Sequence, residues 1–354
     1  MDSDHQRSEH PIAHALKTIT AWHSFWDPRV LANPIRPFVQ KYYGSVMNNY
    51  IQTELKQRFA EMRQEKQNPE SNSKKTKSVI ALALEAYLAD PELSKDVDKT
   101  EILDDRFAKY ASYQIRLFLF AGNDTTSSSI VYVYHMLSKH PEVLQQVREE
   151  HDRIFGSDPF AAAQLLKKDP TLLNQCPLTL AVIKETLRLF PPASTTRGGR
   201  ADSSLSDRHG NLYPIDYVGA NVLHPAVHHN PRVWPRVEEF LPERFLVEPG
   251  HELYPDPAAY RPFEQGPRNC IGQTLVYNEM RVVLVMTART FAITPAYDEW
   301  DAMNNQTGLL TGLRQWAGFS QPGPRTVHGE RAYQTEKAGT HPADGYPCRV
   351  ALVA

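Results

Sequence analysis

The chain has 354 residues, with 39 Lys+Arg against 41 Asp+Glu for a net charge of −2, and 41% of its residues are hydrophobic. That length and composition suffice for one large domain, or two of about 150 residues, with a sizeable core. The balanced charge excludes a nucleic-acid binder that works by phosphate neutralisation. Three widely spaced cysteines, Cys176, Cys270 and Cys348, exclude a disulfide framework and a four-cysteine zinc site, and fit a reducing compartment. No stretch approaches the ~20 apolar residues of a membrane span; Leu117–Ala121 and Ile130–Tyr134 are the longest candidates. The polar start, MDSDHQRSEH, reads as neither signal peptide nor anchor. A soluble globular enzyme is the class that remains.

The first part of the chain, residues 1–190, reads as mainly helical. Between Gly44 and Met62 the apolar residues Val46, Met47, Tyr50, Ile51, Leu55, Phe59 and Met62 recur at three- and four-residue steps, the pattern of an amphipathic helix. The polar run Gln64–Lys77, with its proline, reads as an exposed loop. A helix follows over Ser78–Leu88. A longer one is expected from Thr100 or Glu101 to Ser138, stopped by His140-Pro141, and another over Leu178–Phe190, stopped by Pro191-Pro192.

Residues 191–262 change character. Many of the 27 prolines lie beyond residue 190, and Asn211–Ile215 and Tyr217–Leu223 are short turn-bounded segments that suggest β-hairpins. Residues 263–291 comprise a loop and a helix over Ile271–Phe291, and residues 292–354 read as strands and loops. The fold class is therefore mainly α with small β-sheets (α+β). No internal repeat and no G-x-G-x-x-G occurs, so the sequence carries no visible dinucleotide site.

The segment Phe263-Glu-Gln-Gly266-Pro-Arg268-Asn-Cys270-Ile-Gly272 holds the most information. Gly266-Pro267 forces a tight loop, and Cys270 sits where a helix begins, so the helix dipole and free N–H groups favour its thiolate. Arg268 adds positive charge, and Gly272 leaves room for a flat group beside the backbone. A small buried cysteine at a helix start is the plain alternative, but it leaves the flanking Phe, Gly, Arg and Gly unexplained. The segment resembles the haem-binding loop of the cytochrome P450 monooxygenases, F-x-x-G-x-R-x-C-x-G, and matches every fixed position. The resemblance implies a P450-like haem domain over 1–354 that lacks the family's N-terminal part, with Cys270 as axial ligand of haem iron and Arg268 on a propionate.

Three other segments bear on that resemblance. Ala121-Gly122-Asn123-Asp124-Thr125-Thr126 sets an acid and an alcohol mid-helix, where a packing helix has no use for them. It is similar to the family's A-G-x-D/E-T-T signature, which gives Asp124 and Thr125 a proton-delivery role. Glu185-Thr-Leu-Arg188, by itself an ordinary i, i+3 pair, looks like the family's E-x-x-R helix, with Arg244 of Pro242-Glu-Arg-Phe245 as partner. Glu185, Arg188 and Arg244 would then form a buried structural network. Arg197 stands where some members carry a second propionate-binding arginine. His224, His228 and His229 read as loop histidines, and Cys176 and Cys348 as structural.

The W-x-x-x-R of the family's missing segment does not occur: Trp22 is followed at +4 by Trp26, and Trp26 by Val30. The segments left to line a distal pocket are Phe118, Ala121 and Thr125, Ala193–Thr196 and Gly308–Leu313, and their small or apolar character suggests a lipophilic substrate. The implied cofactors are haem b with dioxygen as co-substrate, and NADPH through a separate cytochrome reductase, since no dinucleotide motif is present. Val131–Pro141 and Ser78–Leu88 look like the filamentous-fungal branch, which serves secondary-metabolite pathways. The family typically sits on the endoplasmic-reticulum membrane facing the cytoplasm; without an anchor, a cytoplasmic or peripheral location is expected here. Two alternatives stay open: a truncated remnant that binds no haem, and a haem-thiolate isomerase or dehydratase, for which Asp124-Thr125 would have no use.

Overall fold

The computed structural model describes residues 10–24, 28–67, 78–89, 103–306, 326–337 and 339–353. The chain divides into two compact units, Met1–Asp124 and Thr125–Ala354.

The first unit is helical. It contains α1 (Pro11–Ala21), α2 (Pro28–Leu31), α3 (Arg36–Gln67), α4 (Val79–Ala89) and the first part of α5 (Asp105–Lys139). Helix α3 is longer at both ends than the apolar spacing indicated. Asn33 Oδ1 accepts from the Ile35 N–H at 3.0 Å ahead of its first turn, and Pro37 is tolerated there because the first N–H groups have no helical partner. At the other end Arg58 pairs with Glu61 (2.9 Å) and Glu65 (3.3 Å). Residues 64–67, read from sequence as loop, are therefore helical, because charge pairing along one face substitutes for an apolar stripe. The remainder of that expected loop lies outside the described residues. Ile51, Leu55 and Phe59 of α3 form the core with Leu84 and Tyr87 of α4 and Ala108, Ala111 and Ile115 of α5.

Helix α5 has 35 residues, about 52 Å at 1.5 Å per residue. It begins later than expected because Asp104 caps it, its Oδ1 accepting from the Phe107 N–H at 2.8 Å.

The second unit holds the rest of α5, then α6 (Pro141–Phe155), α7 (Ala162–Lys168) and α8 (Pro177–Leu189). Both α6 and α8 begin on a proline, as the first turn allows. Glu150 on α6 closes the α8 N-terminus: its carboxylate accepts from the Leu178 N–H (2.8 Å), the Thr179 N–H (2.9 Å) and Thr179 Oγ1 (2.6 Å). Val133 and Leu137 of α5, Val147 of α6, and Val182, Ile183 and Leu187 of α8 pack with Met280 and Leu284 of a later helix into the main core.

Among the described residues the strands form four two-stranded antiparallel sheets. Strands β1 (Thr195–Gly198) and β4 (Gly219–Val222) pair with Thr195 opposite Val222, and β2 (Ser204–Ser206) pairs with β3 (Leu212–Pro214). The helix α9 (His224–His228) follows. Helix α10 spans Gln273–Thr287, shorter than the expected Ile271–Phe291. Cys270–Gly272 form the entering turn, and Phe291 belongs instead to β5 (Phe291–Pro295), where it lies opposite Leu352 of a later strand. A helix not expected within 292–354, α11 (Tyr297–Gln306), carries Asp298 and Glu299 in its first turn, where the helix dipole favours acids. Strands β6 (Gln334–Lys337) and β7 (Gly339–Pro342) pair with each other, and β8 (Cys348–Leu352) pairs with β5. Among the described residues, no helix is long and apolar enough to cross a membrane.

Candidate active site

The cysteine loop is built from three backbone constraints. The Cys270 N–H donates to the Phe263 carbonyl at 2.8 Å and closes the loop, while the Asn269 N–H donates to Gly266 O at 3.1 Å. Gly266 sits at φ +75°, which an L side chain rarely adopts. Gly272 then serves as N-cap of α10, and a Cβ built there would lie 3.7 Å from Cys270 Sγ, so glycine keeps that flank of the sulfur bare.

Cys270 is exposed just ahead of the α10 N-terminus, at the positive end of the helix dipole. Beside it Ile271 and Leu275 are 81% and 68% exposed. An apolar flank of this kind around a sulfur donor is suited to a flat hydrophobic ligand. Arg268 is exposed and, among the described residues, makes no hydrogen bond or ion pair. Arg197, on β1, is likewise exposed, and its Nη1 donates only to the adjacent Thr196 carbonyl at 3.3 Å. The donor set therefore fits haem: one sulfur ligand, two exposed guanidinium groups that pair with no carboxylate among the described residues and could take propionates, and exposed apolar side chains beside the sulfur.

Behind the loop, Glu185, Arg188 and Arg244 come together with their side chains fully buried. The Glu185 carboxylate accepts two hydrogen bonds from Arg188 (Nε and Nη2, both 2.8 Å), one from Arg244 Nε (3.2 Å) and one from the Leu241 N–H (3.1 Å). Arg188 also donates to the carbonyls of His228 (3.0 Å), Val237 (2.9 Å) and Glu239 (3.1 Å), and its guanidinium carbon lies 5.2 Å from the Trp234 ring. Arg244 donates to Arg236 O at 2.6 Å, while its Nη1 has no partner among the described residues. Burial lowers the Arg244 pKa, partly offset by Glu185.

The histidines correct the sequence reading. His224 and His228 are buried on α9, and they tie α8 to the cysteine loop. His224 bonds the Ala193 carbonyl through Nδ1 (2.7 Å) and Glu264 through Nε2 (2.8 Å). His228 Nε2 accepts from the Arg261 N–H at 3.0 Å, so its Nδ1 carries the proton given to Arg188 O at 3.1 Å. Burial, with His224 nearby, lowers the His228 pKa to about 3 and keeps the ring neutral. The Arg261 hydrogen bond, followed by that of His224, holds the Glu264 carboxyl at about 2 against the opposing effect of burial. Glu264 occupies the left-handed region (φ +58°) two residues before Gly266. The signal for this brace was present as His224 and His228 at i, i+4, a helical spacing that places both rings on one face. Tyr260 adds a further tie, donating to Lys184 O and meeting Tyr277 Oη of α10, both at 3.2 Å.

On α5, Asp124 is buried and Thr125 is half-buried. The Thr125 carbonyl accepts from Ser129 Oγ at 2.8 Å, and Thr126 Oγ1 is buried with no partner among the described residues. Phe118, Ala121, Ala193, Ser194 and Thr196 are exposed, and Thr195 is half-buried; Gly308–Leu313 lie outside the described residues. Cys176 is buried, which pushes its thiol up to about 12, and Cys348 is exposed on β8.

The cytochrome P450 family model matches residues 2–315. Cytochrome P450 monooxygenase polC of Polytolypa hystricis is 42% identical over 99% of this chain and 59% of its own length. Cytochrome P450 monooxygenase acrF of Aspergillus aculeatus is 33% identical over 90% of this chain and 62% of its own length. Cytochrome P450 monooxygenase ptmG of Penicillium ochrochloron is 33% identical over 73% of this chain and 43% of its own length. The chain thus spans roughly two-fifths to three-fifths of the length of these three curated relatives.

Proposed function

Because this chain belongs to the cytochrome P450 family, we propose that it works as a haem-thiolate monooxygenase, inserting one oxygen atom of dioxygen into a lipophilic substrate. The observation that carries this reading is the folded cysteine loop: a bare sulfur at a helix N-terminus, pinned through the Phe263 carbonyl and flanked by exposed apolar side chains. Its relatives in fungi support a place in secondary-metabolite biosynthesis.

When bound, haem supplies the dioxygen-activating redox chemistry, with the electrons drawn from NADPH through a separate reductase. Cys270 Sγ would be the axial ligand, with Arg268 and Arg197 neutralising the propionates. Phe263, Gly266 and Gly272 shape the loop that presents the sulfur. The Glu185–Arg188–Arg244 network and the His224–Glu264 brace hold that loop in place, so the sulfur is positioned before any ligand arrives. On α5 the Asp124 carboxyl is the proton store, and Thr125 Oγ1 is the hydroxyl that passes the proton on. A cytoplasmic location, or a peripheral one on the endoplasmic-reticulum membrane where the family typically sits, belongs to the same proposal.

The test is the carbon-monoxide difference spectrum of the reduced, haem-loaded chain. A thiolate-type Soret shift, abolished by Cys270→Ala, is the expected result. Retention of that shift in the variant refutes the ligand assignment, and a chain that takes up no haem refutes the enzyme reading in favour of a non-catalytic remnant.

A further inference from the structure

Residues 125–129 of α5 are five consecutive alcohols, Thr-Thr-Ser-Ser-Ser, and proton delivery accounts only for the first of them. Such side chains lower helix propensity and compete for backbone hydrogen bonds, so a run of them inside a 35-residue helix calls for a use. Ser128 and Ser129 are both buried. Ser129 Oγ turns back on its own helix and donates to the Thr125 carbonyl at 2.8 Å. Ser128 Oγ leaves the helix instead and donates to the Thr340 carbonyl of β7.

Thr340 commits every polar group it has to contacts of this kind. Its carbonyl receives Ser128, its N–H donates to Pro192 O at 3.0 Å, and its Oγ1 donates to Pro191 O at 3.0 Å. Gln334 of β6 reinforces the last tie, its Nε2 donating to Pro191 O (3.0 Å) and to Thr340 Oγ1 (2.9 Å). Pro191 and Pro192 are buried and directly follow Phe190, the C-cap of α8. One threonine therefore joins the α5 turn that holds Thr125 to the end of the helix that carries Glu185 and Arg188. All of these residues lie in the second unit.

We propose that Ser128 and Thr340 are positioning residues for Thr125: β7 holds the Thr125 turn of α5 at a fixed place relative to the end of α8, and Ser129 fixes the Thr125 backbone within that turn. The inference rests on the proton-delivery reading of Thr125. Placement matters there because a proton passes only between groups within hydrogen-bond reach, and a misplacement of about 1 Å can cost on the order of a hundredfold in rate. A clamp that only stabilises the fold is the competing explanation. It accounts for donors on the buried proline carbonyls, and it predicts a lower unfolding midpoint with proton delivery unaltered.

Two measurements on Ser128→Ala, Thr340→Val and Thr340→Ser test this, with Thr125→Ala as the reference. The first is hydrogen exchange on the haem-free chain. Ser128→Ala should speed exchange of the amides of residues 129–133, which donate to the carbonyls of residues 125–129, by about five- to tenfold, the worth of one buried hydrogen bond. The second is hydrogen peroxide released per NADPH by the haem-loaded chain with a cytochrome reductase. Without an added substrate the electrons end in peroxide or in water, so the yield reports how often proton delivery fails. Ser128→Ala and Thr340→Val should both raise it, while Thr340→Ser, which keeps the hydroxyl, should match wild type. A yield unmoved by Ser128→Ala and Thr340→Val while Thr125→Ala raises it overturns this inference and leaves the proton-delivery reading intact. No change in Thr125→Ala refutes that reading instead, and the positioning role with it. Unchanged exchange in Ser128→Ala overturns the tether, whatever the chain does with haem. Should Ser128→Ala fail to fold, Thr340→Val, which keeps both backbone hydrogen bonds, decides on the same two readouts.

Discussion

Replacing Glu185 by Gln keeps the shape of the side chain and removes its charge. In the native chain that carboxylate receives four hydrogen bonds, three of them from two guanidinium groups with no exposed surface. After the change, Arg188 retains three carbonyl acceptors and Arg244 retains one, but both cations remain buried with nothing to balance them. Removing one partner of such a network costs about 3–5 kcal/mol, a large share of the ~5–15 kcal/mol that typically separates folded from unfolded states. Urea unfolding followed by tryptophan fluorescence reports on the right region, since buried Trp234 lies against Arg188. The midpoint should fall with the slope unchanged, and part of the thiolate-type spectrum should be lost with it. That coupling is expected because Arg188 binds the His228 carbonyl and His228 holds the Arg261 N–H at the loop entrance. Combining Glu185→Gln with Arg244→Met should cost less than the sum of the two, by about 1–3 kcal/mol, because the second change removes one stranded cation. A loss below about 1 kcal/mol for Glu185→Gln alone refutes the reasoning.

Stability should also fall on acidification, starting near the ordinary histidine pKa of 6.5. His228 and His151 are lowered to about 3 and 4, chiefly by burial, so between those values and 6.5 the unfolded chain binds protons that the folded chain does not. Each contributes a loss of up to about 1.4 kcal/mol per pH unit, and Glu264, held at about 2, adds to it only below pH 4.5. Unfolding free energies measured at pH 7.5, 6 and 5 check this, and a flat profile over that range contradicts it. Thr125→Ala should leave haem uptake unchanged and divert reducing equivalents to hydrogen peroxide. Peroxide yield per NADPH consumed is the readout, and unchanged coupling removes the hydroxyl from proton delivery.

What was legible in the sequence was local. Apolar steps of three and four marked α3 and α8, prolines marked where α5 and α8 end, and ten consecutive residues around Cys270 carried the family resemblance together with the chemistry of a helix-terminal thiol. These signals need only neighbours within a turn or two, because helical periodicity, proline geometry and the helix dipole act at that range. The tertiary structure decided the rest. It determined that α3 runs on through charge pairs to Gln67, and that Phe291 leaves its helix for a ladder with Leu352. It also made loop-like histidines into a brace onto Glu264, and tied Ser128 to the Thr340 carbonyl. Each of these outcomes depends on which distant segments share a core, and a buried charge or a strand edge finds its partner only after the chain has closed the intervening loop.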